Sequence, residues 1–124
     1  MPSKIADSEL EVMRILWRED RPVSYAEIRQ ELESKTDWSR STIQTLVMRL
    51  RDKGTVSSHF HHVTLYTANV SERDYRQFEE QKFLDRLFDG NARNLVTALC
   101  QDGKLNENDI DELKAYFQIG SDRK

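Results

Sequence analysis

Ser41, Gln44, Thr45 and Met48 recur at helical spacing in the run "DWSRSTIQTLVMRLRDKG", Asp37 to Gly54, with Arg40 and Arg49 beside them. At about 100° per residue these positions form one outward stripe, while Ile43, Leu46, Val47 and Leu50 form the opposite, apolar one. The outer stripe is short, polar and free of acid until Asp52, whereas a merely solvated helix would more often carry Glu and Lys. Its residue types suit the edges of base pairs. A glutamine can make paired hydrogen bonds to adenine, the methyl of Thr42 or Thr45 can pack on a thymine methyl, and arginine can pair with guanine or hold a phosphate. Ser39, Arg40 and Ser41 stand at the helix N-terminus, where the dipole favours an anion. Arg49 and Arg51 add cations further along, so phosphate contacts would fix register and Gln44 and Thr45 would carry sequence information.

The elements that must position this stripe are punctuated by composition. Ser39 is a natural N-cap, with Trp38 and Ile43 placed to close a hydrophobic staple across it. Lys53 and Gly54 mark the helix end, and Gly90, Gly103 and Gly120 stand at similar stops. Starts are marked by Ser8 with Glu11, Ser24 with Glu27, Ser71 with Asp74 and Asn106 with Asp109. These signals predict helices over 8–18, 25–34 and 40–53, with a break at Pro22. "TVSSHFHHVTLYTANV" alternates well enough for a hairpin, and three more helices follow near 72–89, 92–101 and 107–119. Three helices and then a hairpin is the order of a winged helix-turn-helix. The predicted fold is therefore mainly α with a small β-hairpin: a winged helix over 1–70 and a helical domain over 71–124.

At 124 residues and a formal net charge of −3 the chain carries no uniformly basic surface, yet its charge is uneven. Between residues 38 and 63 the cations Arg40, Arg49, Arg51 and Lys53 face the single acid Asp52. The lone Cys100 excludes an intrachain disulfide framework and is expected as a small buried hydrophobe. No run is long and apolar enough for a membrane span, and the N-terminus lacks the apolar core of a signal peptide, so a cytoplasmic chain without membrane insertion is expected. Phosphate-cradling glycines, a nucleophile motif and metal-ligand spacing are absent, which speaks against an enzyme and against a cofactor.

The hairpin carries His59, His61 and His62. His59 and His61 fall on one side of a strand, and imidazoles ligate zinc and copper, but no carboxylate or thiolate nearby completes a metal site. Contact with phosphate is the better functional reading for His59 and His61. In the second half Tyr75, Phe78, Phe83, Leu87, Leu95, Leu99, Leu113 and Phe117 spread over more than one stripe, as expected of a homodimer interface. Such a dimer would present two recognition helices to half-sites one or two DNA turns apart. The other reading is a winged-helix protein-interaction module that never touches DNA, with the acidic total charge in its favour.

"LEVMRILW", "DWSRSTIQTLVMRLRDKG", "LYTANVSERDY" and "DIDELKAYF" together resemble the BlaI/MecI family of penicillinase and methicillin-resistance repressors and their copper-responsive relatives. The resemblance runs through nearly the whole chain and implies a homodimeric repressor with a winged helix followed by a three-helix dimerisation domain. It also implies a palindromic operator in double-stranded DNA with TACA/TGTA-like cores, in an antibiotic-resistance or related regulon. Arg40, Ser41, Thr42, Gln44, Thr45 and Arg49 match the family's recognition helix. Members governed by a membrane-bound sensor metalloprotease are cut at an Asn–Phe bond in helix 5, where this chain has Ala98–Leu99. The copper-responsive relatives carry paired C-x-C motifs near the C-terminus, and this chain ends "QIGSDRK" without them.

Overall fold

The computed structural model describes residues 4–121, with side chains through residue 115. The elements are α1 (Asp7–Glu19), β1 (Val23–Ser24), α2 (Tyr25–Lys35), α3 (Arg40–Asp52), β2 (Val56–His61), β3 (Val63–Ala68), α4 (Glu72–Leu87), α5 (Ala92–Gln101) and α6 (Glu107–Ser121). The predicted helices and hairpin are all present, and one small strand was not foreseen. Contacts divide the chain into two compact units, Met1–Phe78 and Glu79–Lys124. The division falls inside α4, so the first turns of that helix belong with the N-terminal unit rather than with the segment that begins at residue 71.

The N-terminal unit is built on one apolar core. Val12, Met13, Ile15 and Leu16 of α1 meet Ile28 and Leu32 of α2 and Ile43, Leu46, Val47 and Leu50 of α3, with Val23, Val56 and Tyr66 closing it from the strands. Each of these side chains contributes about 1.5–3 kcal/mol by leaving water, and together they fix the rotation of α3 about its axis. Trp38, partly buried, packs against the same core as Ile43, as a staple requires. Trp17 is partly buried at the edge of the core: its Nε1–H donates to the Val70 carbonyl at 2.9 Å, and its ring lies 5.9 Å from that of Tyr75.

The three strands form one antiparallel sheet in the order β1-β3-β2. β2 and β3 pair from Val56↔Ala68 to His61↔Val63, leaving His62 alone in the turn with a left-handed φ of 65°. β1 pairs Val23 with Tyr66 and Ser24 with Leu65. Ser24 has a second task, since its Oγ accepts the Glu27 N–H while the Glu27 carboxylate accepts the Ser24 N–H, closing the predicted capping box of α2.

Other caps follow the sequence in part. Ser39 caps α3, Ser71 Oγ accepts the Asp74 N–H, and Asn106 and Asp109 bond reciprocally. Ser8 does not cap α1. That helix starts from Ala6, whose N–H donates to the Glu9 carboxylate at 2.9 Å, and it ends on Asp20 in the left-handed conformation. Asn91, not foreseen, caps α5. Gly54, Gly90 and Gly103 have positive φ, as their stops require, but α6 runs through Gly120 to Ser121.

An ion-pair network joins α1 to α2 on the outside. Arg18 forks onto both oxygens of Glu31, which also accepts from Lys35, and Arg21 bonds Glu27 at 2.8 Å. The Arg18 guanidinium beside Glu31 holds that carboxyl down to about 2, and Arg21 does the same for Glu27. A carboxyl depressed in the folded chain contributes stability above its ordinary value of 4.5 and loses it as pH falls toward 2. Melting temperature should therefore fall between pH 4.5 and 2, and Arg18→Met should flatten that fall; an identical acid profile in the variant would refute the assignment. Both pairs are largely solvated, so the effect at neutral pH is small.

Candidate nucleic-acid interface

Core burial of Ile43, Leu46, Val47 and Leu50 turns the rest of α3 outward. Ser39, Arg40, Ser41, Thr42, Gln44, Thr45 and Arg49 are all exposed and Met48 is half-buried. At the helix start Ser39 Oγ accepts the Thr42 N–H at 3.2 Å and lies 3.2 Å from Ser41 Oγ and 3.0 Å from Thr42 Oγ1. Three hydroxyls thus cluster at the positive end of the helix dipole. Thr45 donates its hydroxyl to the Ser41 carbonyl at 2.9 Å, so its hydrogen-bonding capacity is turned back to the helix.

The cations separate into two groups. Lys53 ties itself to the protein, its Nζ donating to the buried Glu9 carboxylate at 2.5 Å and to the Lys4 carbonyl at 2.9 Å. Arg51 lies 3.5 Å from Asp52. Among the described residues Arg40 and Arg49 form no ion pair, which leaves two guanidinium groups flanking the outward stripe. Glu9, one of the two buried polar side chains among the described residues, is 1 % exposed and accepts from the Ala6 N–H and Lys53.

α2 and the hairpin border the stripe. Tyr25 at the start of α2 donates its hydroxyl to the Arg40 carbonyl at 3.3 Å, joining the two helices of the helix-turn-helix. A groove of about 220 Å³ is lined by Tyr25, Gln44, Val47, Met48, Thr64 and Tyr66, so it runs from α2 across α3 to β3. At the base of the hairpin Asn69 Nδ2 donates to the Gly54 carbonyl and Ser57 Oγ donates to Asn69 Oδ1, both at 2.9 Å. Tyr25 and Asn69 carried no periodic signal that could have singled them out.

His59 and His61 do share one side of β2, as their spacing predicts. Cross-strand partners lie on one sheet face, and here His59 pairs with Leu65 and His61 with Val63, whereas Thr64 and Tyr66, which line the groove, pair with Phe60 and Ser58. The imidazoles therefore occupy the sheet face away from Gln44 and Met48. His59 Nε2 lies 3.3 Å from Thr67 Oγ1, and the rings of His61 and His62 meet edge to face at 5.1 Å. Among the described residues no cluster of His, Cys, Asp or Glu could hold a metal ion, and no helix is long and apolar enough to cross a membrane.

The expected dimer residues are placed unevenly. Tyr75 is buried in the core of the N-terminal unit, with its hydroxyl 3.5 Å from the Ile5 carbonyl, and so is not available as an interface side chain. Phe83 and Leu87 are 39 % and 58 % exposed, Phe78, Leu95, Leu99 and Leu113 are half-buried, and α5 buries no residue fully. The side chain of Phe117 lies outside the described residues. Ala98 and Leu99 are half-buried within α5, and Cys100 is exposed rather than buried.

Comparison with known proteins agrees with this arrangement. The chain is 33% identical over 122 residues to the penicillinase repressor of Bacillus licheniformis, covering 98% of this chain and 94% of that one. It is 30% identical over 112 residues to the methicillin resistance regulatory protein MecI of Staphylococcus aureus, covering 90% of each. The solution structure of the DNA binding domain of the repressor BlaI superposes with a TM-score of 0.55 and 38% identity, over 60% of this chain and 92% of that one. The monomeric form of Bacillus licheniformis BlaI in complex with the blaP half-operator superposes with a TM-score of 0.54, again at 38% identity and over the same shares. The sequence profile of the penicillinase repressor family matches residues 5–119, and with these relatives it shows that the chain belongs to that family, one of repressors and not of enzymes.

Proposed function

We propose that this chain is a DNA-binding transcriptional repressor that reads a palindromic TACA/TGTA-type operator as a homodimer. The observation that carries the reading is the outward stripe of α3, exposed but for the half-buried Met48, equipped with Gln44 and threonine methyls, and flanked by Arg40 and Arg49, whose guanidinium groups form no ion pair among the described residues. Gln44 can pair with adenine, and the Thr45 methyl, with its hydroxyl bonded back to Ser41, is suited to thymine. The hydroxyl cluster at the α3 N-terminus and the two arginines would hold phosphates.

Dimerisation is proposed through α4, α5 and α6. The C-terminal unit leaves Phe83 and Leu87 in water and has no fully buried residue in α5, an arrangement that a second copy of the same surface would complete. The regulated genes are proposed to belong to β-lactam resistance or a related regulon, as for the relatives named above. A membrane-bound sensor metalloprotease acting at Ala98–Leu99 would first have to open α5, because both residues lie within it.

The test is titration of the chain against a duplex carrying the palindrome and a scrambled control, at two salt concentrations. Salt-sensitive preference for the palindrome supports the repressor, since neutralised phosphates release counterions. No preference and no salt slope would favour a protein-interaction module instead. Gln44→Ala is expected to weaken operator binding by about 1–3 kcal/mol and to spare random DNA. Equal loss on both duplexes would remove Gln44 as a base reader.

A further inference from the structure

Phe60 is 80 % exposed and Val63 is 53 % exposed, two large apolar side chains in water at the tip of the hairpin. The dimer surface does not account for them, because they belong to the N-terminal unit. An aromatic ring left in water on a small domain marks a surface that something else covers.

The register says which way the ring faces. Phe60 pairs with Thr64, and Thr64 lines the groove shared with Gln44 and Met48 of α3. Phe60 thus stands on the sheet face that borders the reading stripe, two pairs nearer the tip than Ser58 and Tyr66. His59 and His61 stand on the other face. Charge identifies the occupant. From Thr55 to Val70 the chain carries no carboxylate, and the face of the sheet that carries Phe60 offers the hydroxyls of Ser58 and Thr64 beside the ring, surroundings compatible with a polyanion. Arg40 and Arg49 of α3, which form no ion pair among the described residues, add positive charge beside the same stripe.

We infer that Phe60 is an affinity-determining contact to DNA: its ring packs against the deoxyribose walls of the minor groove next to the major groove entered by α3. The inference rests on the DNA reading proposed above and deepens it. Apolar side chains used in this way gain by leaving water and need no phosphate contact. Their loss therefore weakens binding without changing the number of counterions released.

The experiment compares the full-length wild type with Phe60→Ala and Phe60→Leu on a TACA/TGTA palindrome with A/T-rich flanks, at several salt concentrations, together with hydroxyl-radical footprinting of the minor-groove sugars. Phe60→Ala is expected to bind roughly tenfold more weakly, with an unchanged salt slope and lost protection of sugars flanking the core. Phe60→Leu should recover much of the affinity, and melting temperature should be unchanged because the ring is exposed. Wild-type affinity and footprint in Phe60→Ala would overturn the inference while leaving the repressor reading intact. Failure of the wild type to bind either the palindrome or random DNA would defeat both.

Discussion

A chain carrying Phe83→Lys and Leu87→Lys together is expected to sediment as a monomer and to lose about a hundredfold in affinity for a full palindrome, while its affinity for an isolated half-site stays unchanged. Both side chains are exposed, so lysine can be placed there without entering a core, and its stem can lie along the helix with the ammonium in water. In a symmetric interface each lysine would face the like charge of the partner copy, or bury an ammonium in an apolar contact, and either is costly. The loss for the palindrome comes from avidity, since two linked reading heads bind with a high effective concentration once the first is seated. Analytical ultracentrifugation and titrations on full and half duplexes decide the matter. A doubly substituted chain that sediments like the wild type would place the dimer interface elsewhere or remove it.

Glu9→Ala should destabilise the N-terminal unit by roughly 2 kcal/mol, less than the 3–5 kcal/mol typical when a fully buried ion pair loses one member. Glu9 is buried, but the side chain of Lys53 is 34% exposed and its ammonium also donates to the Lys4 carbonyl, so after the substitution it keeps that bond and can recover part of its hydration. The substitution also leaves the Ala6 N–H without its acceptor at the start of α1. Lys53→Met should cost a similar amount, because it strands a carboxylate 1 % exposed. Glu9→Leu combined with Lys53→Met is expected to regain most of the loss, as buried pairs exchanged for apolar residues often do. Urea unfolding of the wild type, Glu9→Leu, Lys53→Met and the doubly substituted chain closes a cycle and gives the coupling directly. Additive losses would show that the pair contributes nothing beyond its separate members.

Helix α3 was legible because every local signal agreed: Ser39 at its cap, Gly54 after its end, and a 3.6-residue apolar stripe between them. The hairpin was legible from alternation, and its two strands emerged where the β-branched residues lie. β1 was not, since two residues cannot display a period and Val23–Ser24 is a strand only because β3 lies beside it. The burial of Glu9 was not legible for the related reason that its partner is 44 residues away, and pairing across that distance leaves no mark on local pattern. Spacing correctly put His59 and His61 on one side of a strand, but which side meets α3 depends on register and packing, and the structure gives the α3 side to Phe60. The same limit applies to Tyr75, an apolar residue of α4 whose burial depends on where one compact unit stops.

The strand Val23–Ser24 joins the start of α2 to β3, so α2 and the hairpin are set on a common frame by two residues. α3 is held in that frame by its buried stripe and by the Tyr25 bond to the Arg40 carbonyl. If α3 reads the operator as proposed, preference for a new operator would arise most readily by exchanging its exposed side chains, not by reorienting the helix. Ser41, Thr42, Gln44, Thr45 and Arg49 carry almost none of the core's burial, so substitutions there cost the fold little. Selection acting on operator choice is thereby nearly decoupled from selection acting on stability, and duplicated copies of such a chain can diverge in the sequences they read while remaining equally well folded.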